Sequence, residues 1–247
     1  MAGPDGWLTV VGLEWLDQGS NSIGSGPSNR IRLPAGPPRL GSIEVDGTDA
    51  LLVSEEGTRT LRDDEEGRPT VVSAGSASVH VIRRDGRLAV RIKDSASPAR
   101  AAFAGLRSFP VEPAWKIDAR FEPYEPGRSL QLPTVLDLSQ IYPVPGAMAF
   151  ELDDQPFRLD AYEEAGEEDL FVIFGDRTNG SATFGGGRYL YVKRAGPDRR
   201  TEIDFNKAYN PPCVFTAFAT CALAPPPNRL PVAVEAGELR YEGPPAT

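Results

Sequence analysis

Histidine is nearly absent from this chain: His80 is the only one among 247 residues. That scarcity closes most imidazole chemistry, because a base must lie within hydrogen-bond reach of its nucleophile. His80 stands in the amino-terminal half between Val79 and Val81, whereas the only two cysteines, Cys213 and Cys221, stand in the carboxy-terminal half. A Ser-His-Asp or Cys-His constellation is therefore disfavoured, and His80 reads as a surface strand residue. Cys213 and Cys221 have no histidine or third cysteine nearby to complete a tetrahedral zinc set. Two cysteines in a chain of this length make no disulfide framework, so reduced thiols are expected. A bridge between them is sterically conceivable if the intervening loop doubles back.

Positive charge is also in short supply. With 26 Lys and Arg against 35 Asp and Glu, the net charge is -9 and the pI about 4.8. Nucleic-acid binding draws on clustered basic residues that displace counterions, and here the basic residues are scattered, which argues against such a partner. No run of apolar residues is long enough for a membrane span, and the opening MAGPDGWLTV has no basic region ahead of an apolar stretch. A cytoplasmic protein is expected, with no membrane partner and no cofactor.

What the chain does have is glycine, proline and short alternating segments. Trp7 to Leu16 is dense in apolar residues and interrupted by Gly12, so strand and short helix compete and strand is favoured. Ile43 to Val45 and Leu51 to Val53 flank Asp46-Gly47, and Ala77 to Arg83 and Arg87 to Lys93 flank Asp85-Gly86; both patterns predict tight hairpins. The acidic DDEEG at 63–67 reads as a solvated loop. DSASPAR at 94–100 has the composition of a connection, which places a domain boundary between residues 97 and 98. Beyond it, residues 99–106 predict one or two helical turns. Trp115 to Tyr124 alternates Trp115, Ile117, Ala119 and Phe121 inward against charged residues, the mark of a half-buried antiparallel strand. Further strands are expected at 130–138, 148–152, 156–162, 170–174 and 188–192, and a frayed tail at 242–247. The fold class read from this pattern is all-β: an amino-terminal sandwich-like module over 1–97 and a larger antiparallel barrel or sandwich over 98–247.

The segment from Thr201 to Pro231 stands apart. It holds Asp204, Asn206, Tyr209, Asn210, both cysteines and six prolines, so it reads as one irregular, stiffened segment able to aim side chains. The phrase DFNKAYNPPCVFTAFATCALAPPPNRLPVAVEAGE, with the upstream FGDRTNGSATFGGGRYLYV, resembles the bacterial domain-of-unknown-function family 1684. The opening WLTVVGLEWLDQGSNSIGSGPSN resembles the amino-terminal extension of longer members. About activity the resemblance implies almost nothing.

Asp176, Arg188, Asp204, Asn206, Tyr209, Asn210 and Glu235 are the candidate ligand-binding residues. Arg188 is a fixed cation able to grip a carboxylate or phosphate, and an Asp or Tyr can act as acid or base where burial shifts its pKa. The competing reading is that these groups lock local backbone, as Asx side chains before prolines commonly do. Asp176, Asp204 and Glu235 offer oxygen ligands for a hard cation, without the spacing of a metal loop. Gly185, Gly186 and Gly187 allow a close backbone approach, to a ligand or, more commonly, to another strand; with no helix following, they form no phosphate loop.

The amino-terminal NSIGSGPSNRIRLP and SVHVIRRDGRLAVRIKD are similar in outline to a forkhead-associated β-sandwich. Ser25 stands where that family carries its phosphate-gripping arginine, and Ala77 where it carries a serine, so a degenerate scaffold is implied. Three functions stay open: a domain binding a small polar or anionic ligand, which is preferred; an enzyme using Asp, Tyr and Arg without histidine; and a structural or interaction module.

Overall fold

The computed structural model describes residues 1–65 and 67–246. They fall into two compact units. The first comprises Met1–Ala104, Phe215–Ala219 and the stretch from Gly243; the second comprises Gly105–Val214 and Thr220–Glu242. The break after Ala104 lies beyond the 97/98 position expected from composition. Ser97 and Ala99 are buried, and the single helical turn α1 (Pro98–Ala101) packs on the 3-10 turn at Trp7–Thr9, so the connection belongs to the first unit.

The first unit is a sandwich of two sheets. Its strands are β1 (Val10–Trp15), β2 (Gly19–Gly24), β3 (Ile31–Arg32), β4 (Gly41–Asp46), β5 (Asp49–Ser54), β6 (Gly57–Thr60), β7 (Val72–Ala74), β8 (Ala77–Arg84) and β9 (Arg87–Asp94). One sheet runs β1-β9-β8-β7 and the other β3-β2-β4-β5-β6. Both predicted hairpins form, β4–β5 and β8–β9. In the second, Asp85 and Gly86 both take positive φ, as a tight two-residue turn requires. Period-two alternation then delivers Ile43, Val45 and Leu52 from one sheet against Val79, Val81, Val90 and Ile92 from the other. Residues 7–16 satisfy both competing readings in turn, first the 3-10 turn and then β1.

Three expectations for this unit need correction. His80 is buried at 9 % exposure rather than on the surface. Burial, reinforced by the charges of Arg91 and Lys93, depresses its pKa to about 4, so it is neutral at pH 7. The acidic loop at 63–67 is only partly solvated. Asp63 is 4 % exposed and pairs with Arg83, and Asp64 pairs with Arg84 at 2.7 Å; Glu66 lies outside the described residues. The tail is ordered through Ala246, which is buried and whose N–H donates to the Phe215 carbonyl at 2.8 Å; Thr247 lies outside the described residues.

In the second unit the strands are β10 (Lys116–Pro123), β11 (Ser129–Pro133), β12 (Ser139–Pro143), β13 (Gly146–Leu152), β14 (Gln155–Ala161), β15 (Leu170–Phe174), β16 (Arg188–Val192) and β17 (Arg200–Asp204). Among the described residues they close no barrel. They form an antiparallel sheet β14-β13-β10-β17 and two hairpin ladders, β11–β12 and β15–β16. Ile117, Ala119, Met148, Phe150 and Leu159 on the inner face of the four-stranded sheet join Val172, Phe174, Leu190 and Val192 of the β15–β16 ladder in one core. Phe205, Leu230, Val234 and Ala236 from the irregular carboxy-terminal segment complete it. That segment begins with a regular strand, β17, and turns irregular only at the 3-10 turn Phe205–Lys207.

Candidate functional site

Two polar regions of the second unit are candidates: the buried cluster around Arg188, and the outer face of the four-stranded sheet.

Arg188 opens β16 and is fully buried. Its Nη2 donates to Asp176 at 2.9 Å and to the Val234 carbonyl at 2.8 Å, its Nη1 donates to the Ala236 carbonyl, and its guanidinium lies over the Phe174 ring. Burial lowers its pKa below the ordinary value, and the Asp176 carboxylate opposes part of that shift. Asp176 is occupied in turn. One carboxylate oxygen takes the Thr178 N–H at 2.8 Å, the Thr178 hydroxyl at 2.6 Å and the Val234 N–H at 3.2 Å, and the other takes Arg188. Together this pair ties β16, the turn after β15 and the irregular segment at 234–236.

The remaining candidates divide among separate local arrangements. Asp204 caps the 3-10 turn by accepting the Asn206 N–H, and Lys207 lies 3.4 Å from it. Asn206 clasps the backbone of Glu112 in both directions, accepting its N–H at 3.1 Å and donating to its carbonyl at 3.0 Å. Asn210, fully buried, directs its N–H and its side-chain amide to Glu238 and also reaches the Leu239 carbonyl; among the described residues its Oδ1 has no hydrogen-bond partner. Tyr209 stacks on Tyr191 with 12° between the rings, and burial raises the pKa of both phenols. Glu235 is exposed, and among the described residues no cluster of three or more His, Cys, Asp or Glu side chains is arranged to hold a metal ion. Asp176 and Arg188 are thus brought together, Asp204 and Asn206 form a second arrangement, and Asn210 joins Glu238.

Gly187 resolves the question about the glycine run. It sits at φ 105°, and a Cβ there would lie 2.6 Å from the Phe174 carbonyl oxygen and 2.7 Å from the Ala224 Cβ, so the close approach is to neighbouring backbone.

The outer face of the sheet is of another kind. Strand register places Arg120 of β10 directly opposite Arg200 of β17, with Ala149 of β13 on the other side of Arg120 and Arg158 of β14 beyond it. The neighbouring row is acidic: Glu151, Asp118 and Glu202 lie side by side on β13, β10 and β17. Two outer ion pairs neutralise the margins, Arg158 with Glu122 and Lys116 with Glu202, both at 2.9 Å. Arg120, Arg200, Asp118 and Glu151 are left without an ion pair among the described residues, and they border an open depression of about 540 Å³ that also takes in Ala149 and Thr201. The small Ala149 side chain between Arg158 and Arg120 leaves the floor low. Sequence reading missed this site because its members are scattered over four segments and meet only through register; the alternation of β10, which put Asp118 and Arg120 outward, was the one signal available.

An all-β protein with a buried arginine lock and a charged outer sheet face is what these residues build. Residues 101–239 match the family described as "Protein of unknown function (DUF1684)", and the chain belongs to that family. A search of curated proteins finds no match. Among solved structures, the solution NMR structure of an uncharacterized protein from Haloarcula marismortui is similar at 32% identity, over 57% of this chain and 78% of that one, with a TM-score of 0.48.

Proposed function

We propose that the second unit binds a small anionic molecule, a carboxylate or phosphate ester, on the outer face of its four-stranded sheet, with Arg120 and Arg200 as the anion grip. The observation that carries this reading is the direct cross-strand juxtaposition of the two arginines. Like charges opposite one another in an antiparallel pair destabilise the sheet, and among the described residues no carboxylate forms an ion pair with either guanidinium. An anion bridging both relieves that repulsion, and guanidinium forks suit carboxylate and phosphate oxygens. Asp118 and Glu151 in the adjoining row suit a ligand that carries hydroxyl or amino donors beyond its anionic group. Arg188, fully buried and bonded to Asp176 and two carbonyls, supports the site by holding the core beneath the sheet rather than by meeting the ligand.

The test is thermal-shift screening of the intact chain against small carboxylates and phosphate esters at low and high salt, followed by calorimetric titration of any that stabilise. Saturable stabilisation that weakens with salt and is abolished in both Arg120→Ala and Arg200→Ala supports the assignment. Binding that survives both substitutions places the ligand elsewhere, and the absence of any stabilising anion overturns the reading.

A further inference from the structure

Cys213 and Cys221 meet in the second unit, although a segment belonging to the first unit separates them in sequence. The chain leaves the second unit after Val214, contributes Phe215–Ala219 to the first, and returns at Thr220. The cysteines stand just outside that excursion, each separated from it by one residue, Val214 or Thr220. The Cys213 N–H donates to the Cys221 sulfur at 3.1 Å.

Both positions are held by backbone contacts that do not involve the sulfurs. On one side Val214 N–H donates to the Pro211 carbonyl at 3.1 Å within the 3-10 turn Pro212–Val214. On the other, Val135 N–H donates to the Cys221 carbonyl at 3.0 Å, Leu223 N–H to the Pro133 carbonyl at 2.9 Å, and the Tyr189 hydroxyl to the Ala222 carbonyl at 2.7 Å. Bridging two cysteines demands that the backbone already sit at the right separation, since moving it costs strain. Here the Cys221 sulfur already lies 3.1 Å from the Cys213 backbone nitrogen, which leaves side-chain rotation as the main adjustment.

We propose that Cys213 and Cys221 are a dithiol–disulfide couple whose oxidised form closes the base of the 215–219 excursion. The oxidant is a low-molecular-weight disulfide. Cys213, half-buried where Cys221 is buried, is the entry point. Its thiol loses a proton, and the thiolate attacks one sulfur of the small disulfide and expels the other as a thiolate. Cys221, deprotonated in turn, attacks Cys213 Sγ and releases the second small thiol. Two protein thiols become one disulfide, two protons leave, and the small disulfide is reduced to two thiols. The hydrogen bond with Cys221, together with burial, holds the Cys213 thiol protonated well above the ordinary range. Exchange is therefore slow at neutral pH and faster in alkali, and the couple responds to sustained oxidising conditions rather than to brief ones.

The test uses the intact wild-type chain. It is incubated for a day with excess oxidised glutathione at pH 7.5 and pH 9, quenched in acid, alkylated under denaturing conditions and mapped by mass spectrometry without reduction. The expected result is a peptide carrying the Cys213–Cys221 crosslink, formed faster at pH 9, lost on treatment with dithiothreitol, and absent from Cys221→Ser, which instead retains glutathione on Cys213. Two results overturn the proposal: both cysteines remaining alkylated at both pH values, or glutathione persisting on Cys213 of the wild type with no crosslink.

Discussion

Arg188 and Asp176 lie 2.9 Å apart with neither side chain exposed to solvent, and every hydrogen bond Asp176 accepts comes from within the second unit. Breaking such a pair on one side leaves an uncompensated buried charge, which costs about 3 to 5 kcal/mol. Arg188→Ala and Asp176→Ala are each expected to lower stability by that order in urea unfolding. A double variant costing much less than the sum of the two would confirm the coupling. A loss under 1 kcal/mol for either single change would show that the pair does not lock the fold.

The outer arginines should behave in the opposite way. Arg120→Ala and Arg200→Ala each remove one member of a like-charge cross-strand pair at an exposed position. Stability is expected to stay level or rise by up to about 1 kcal/mol at low ionic strength, with the gain shrinking as salt is added. A loss beyond about 1 kcal/mol would mean that these side chains support the sheet.

His80 makes stability depend on pH over a defined window. Its pKa falls from an ordinary value of 6.5 to about 4 on folding. The unfolded chain therefore binds more protons than the folded one between those values, and stability drops as pH falls from about 6.5 towards 4, then levels. The shift corresponds to roughly 3 kcal/mol at most. Wild type and His80→Gln compared by chemical unfolding between pH 4 and 8 should show a stability difference that changes across that window and is flat above it. A constant difference would place no titration at His80.

Gly187→Ala tests the close approach. The added Cβ meets the Phe174 carbonyl and Ala224 in a backbone conformation that L-residues avoid. A loss of about 1 to 3 kcal/mol is expected in thermal unfolding. Gly185→Ala is the control, since nothing approaches its position closer than 3.9 Å.

Much of the fold was legible because it rests on local rules. Asp46-Gly47 and Asp85-Gly86 announced their hairpins, and the alternation of Ile117 and Ala119 against Asp118 and Arg120 announced a half-buried strand. What stayed hidden depends on distant partners. β17 is short, and its alternation of Arg200 and Glu202 with Thr201 and Ile203 gains meaning only beside β10. β12 was missed because 130–138 read as one strand, whereas β11 ends at Pro133 and Thr134 to Leu138 is a turn closed by the Thr134 N–H on the Leu138 carbonyl. His80 looked exposed because Val79 and Val81 claim the core side of β8, and nothing local shows that the other side is covered as well. Among the candidates, Asp176 and Arg188 were found by residue chemistry, but their partners at Val234 and Ala236 lie more than 40 residues away. Arg120 and Arg200 are ordinary surface arginines until register sets them opposite one another.

The return of Phe215–Ala219 to the first unit bears on the order in which the protein is made. Phe215 and Thr216 are fully buried, and the Thr216 hydroxyl donates to the Val10 carbonyl across 206 positions of sequence. A ribosome that has released the first 104 residues has therefore not yet supplied every segment of the first unit. The bond from Thr216 to Val10 therefore forms only after most of the second unit has been synthesised. Cutting the chain at Ala104 would part the same contact, one fragment carrying Val10 and the other Thr216.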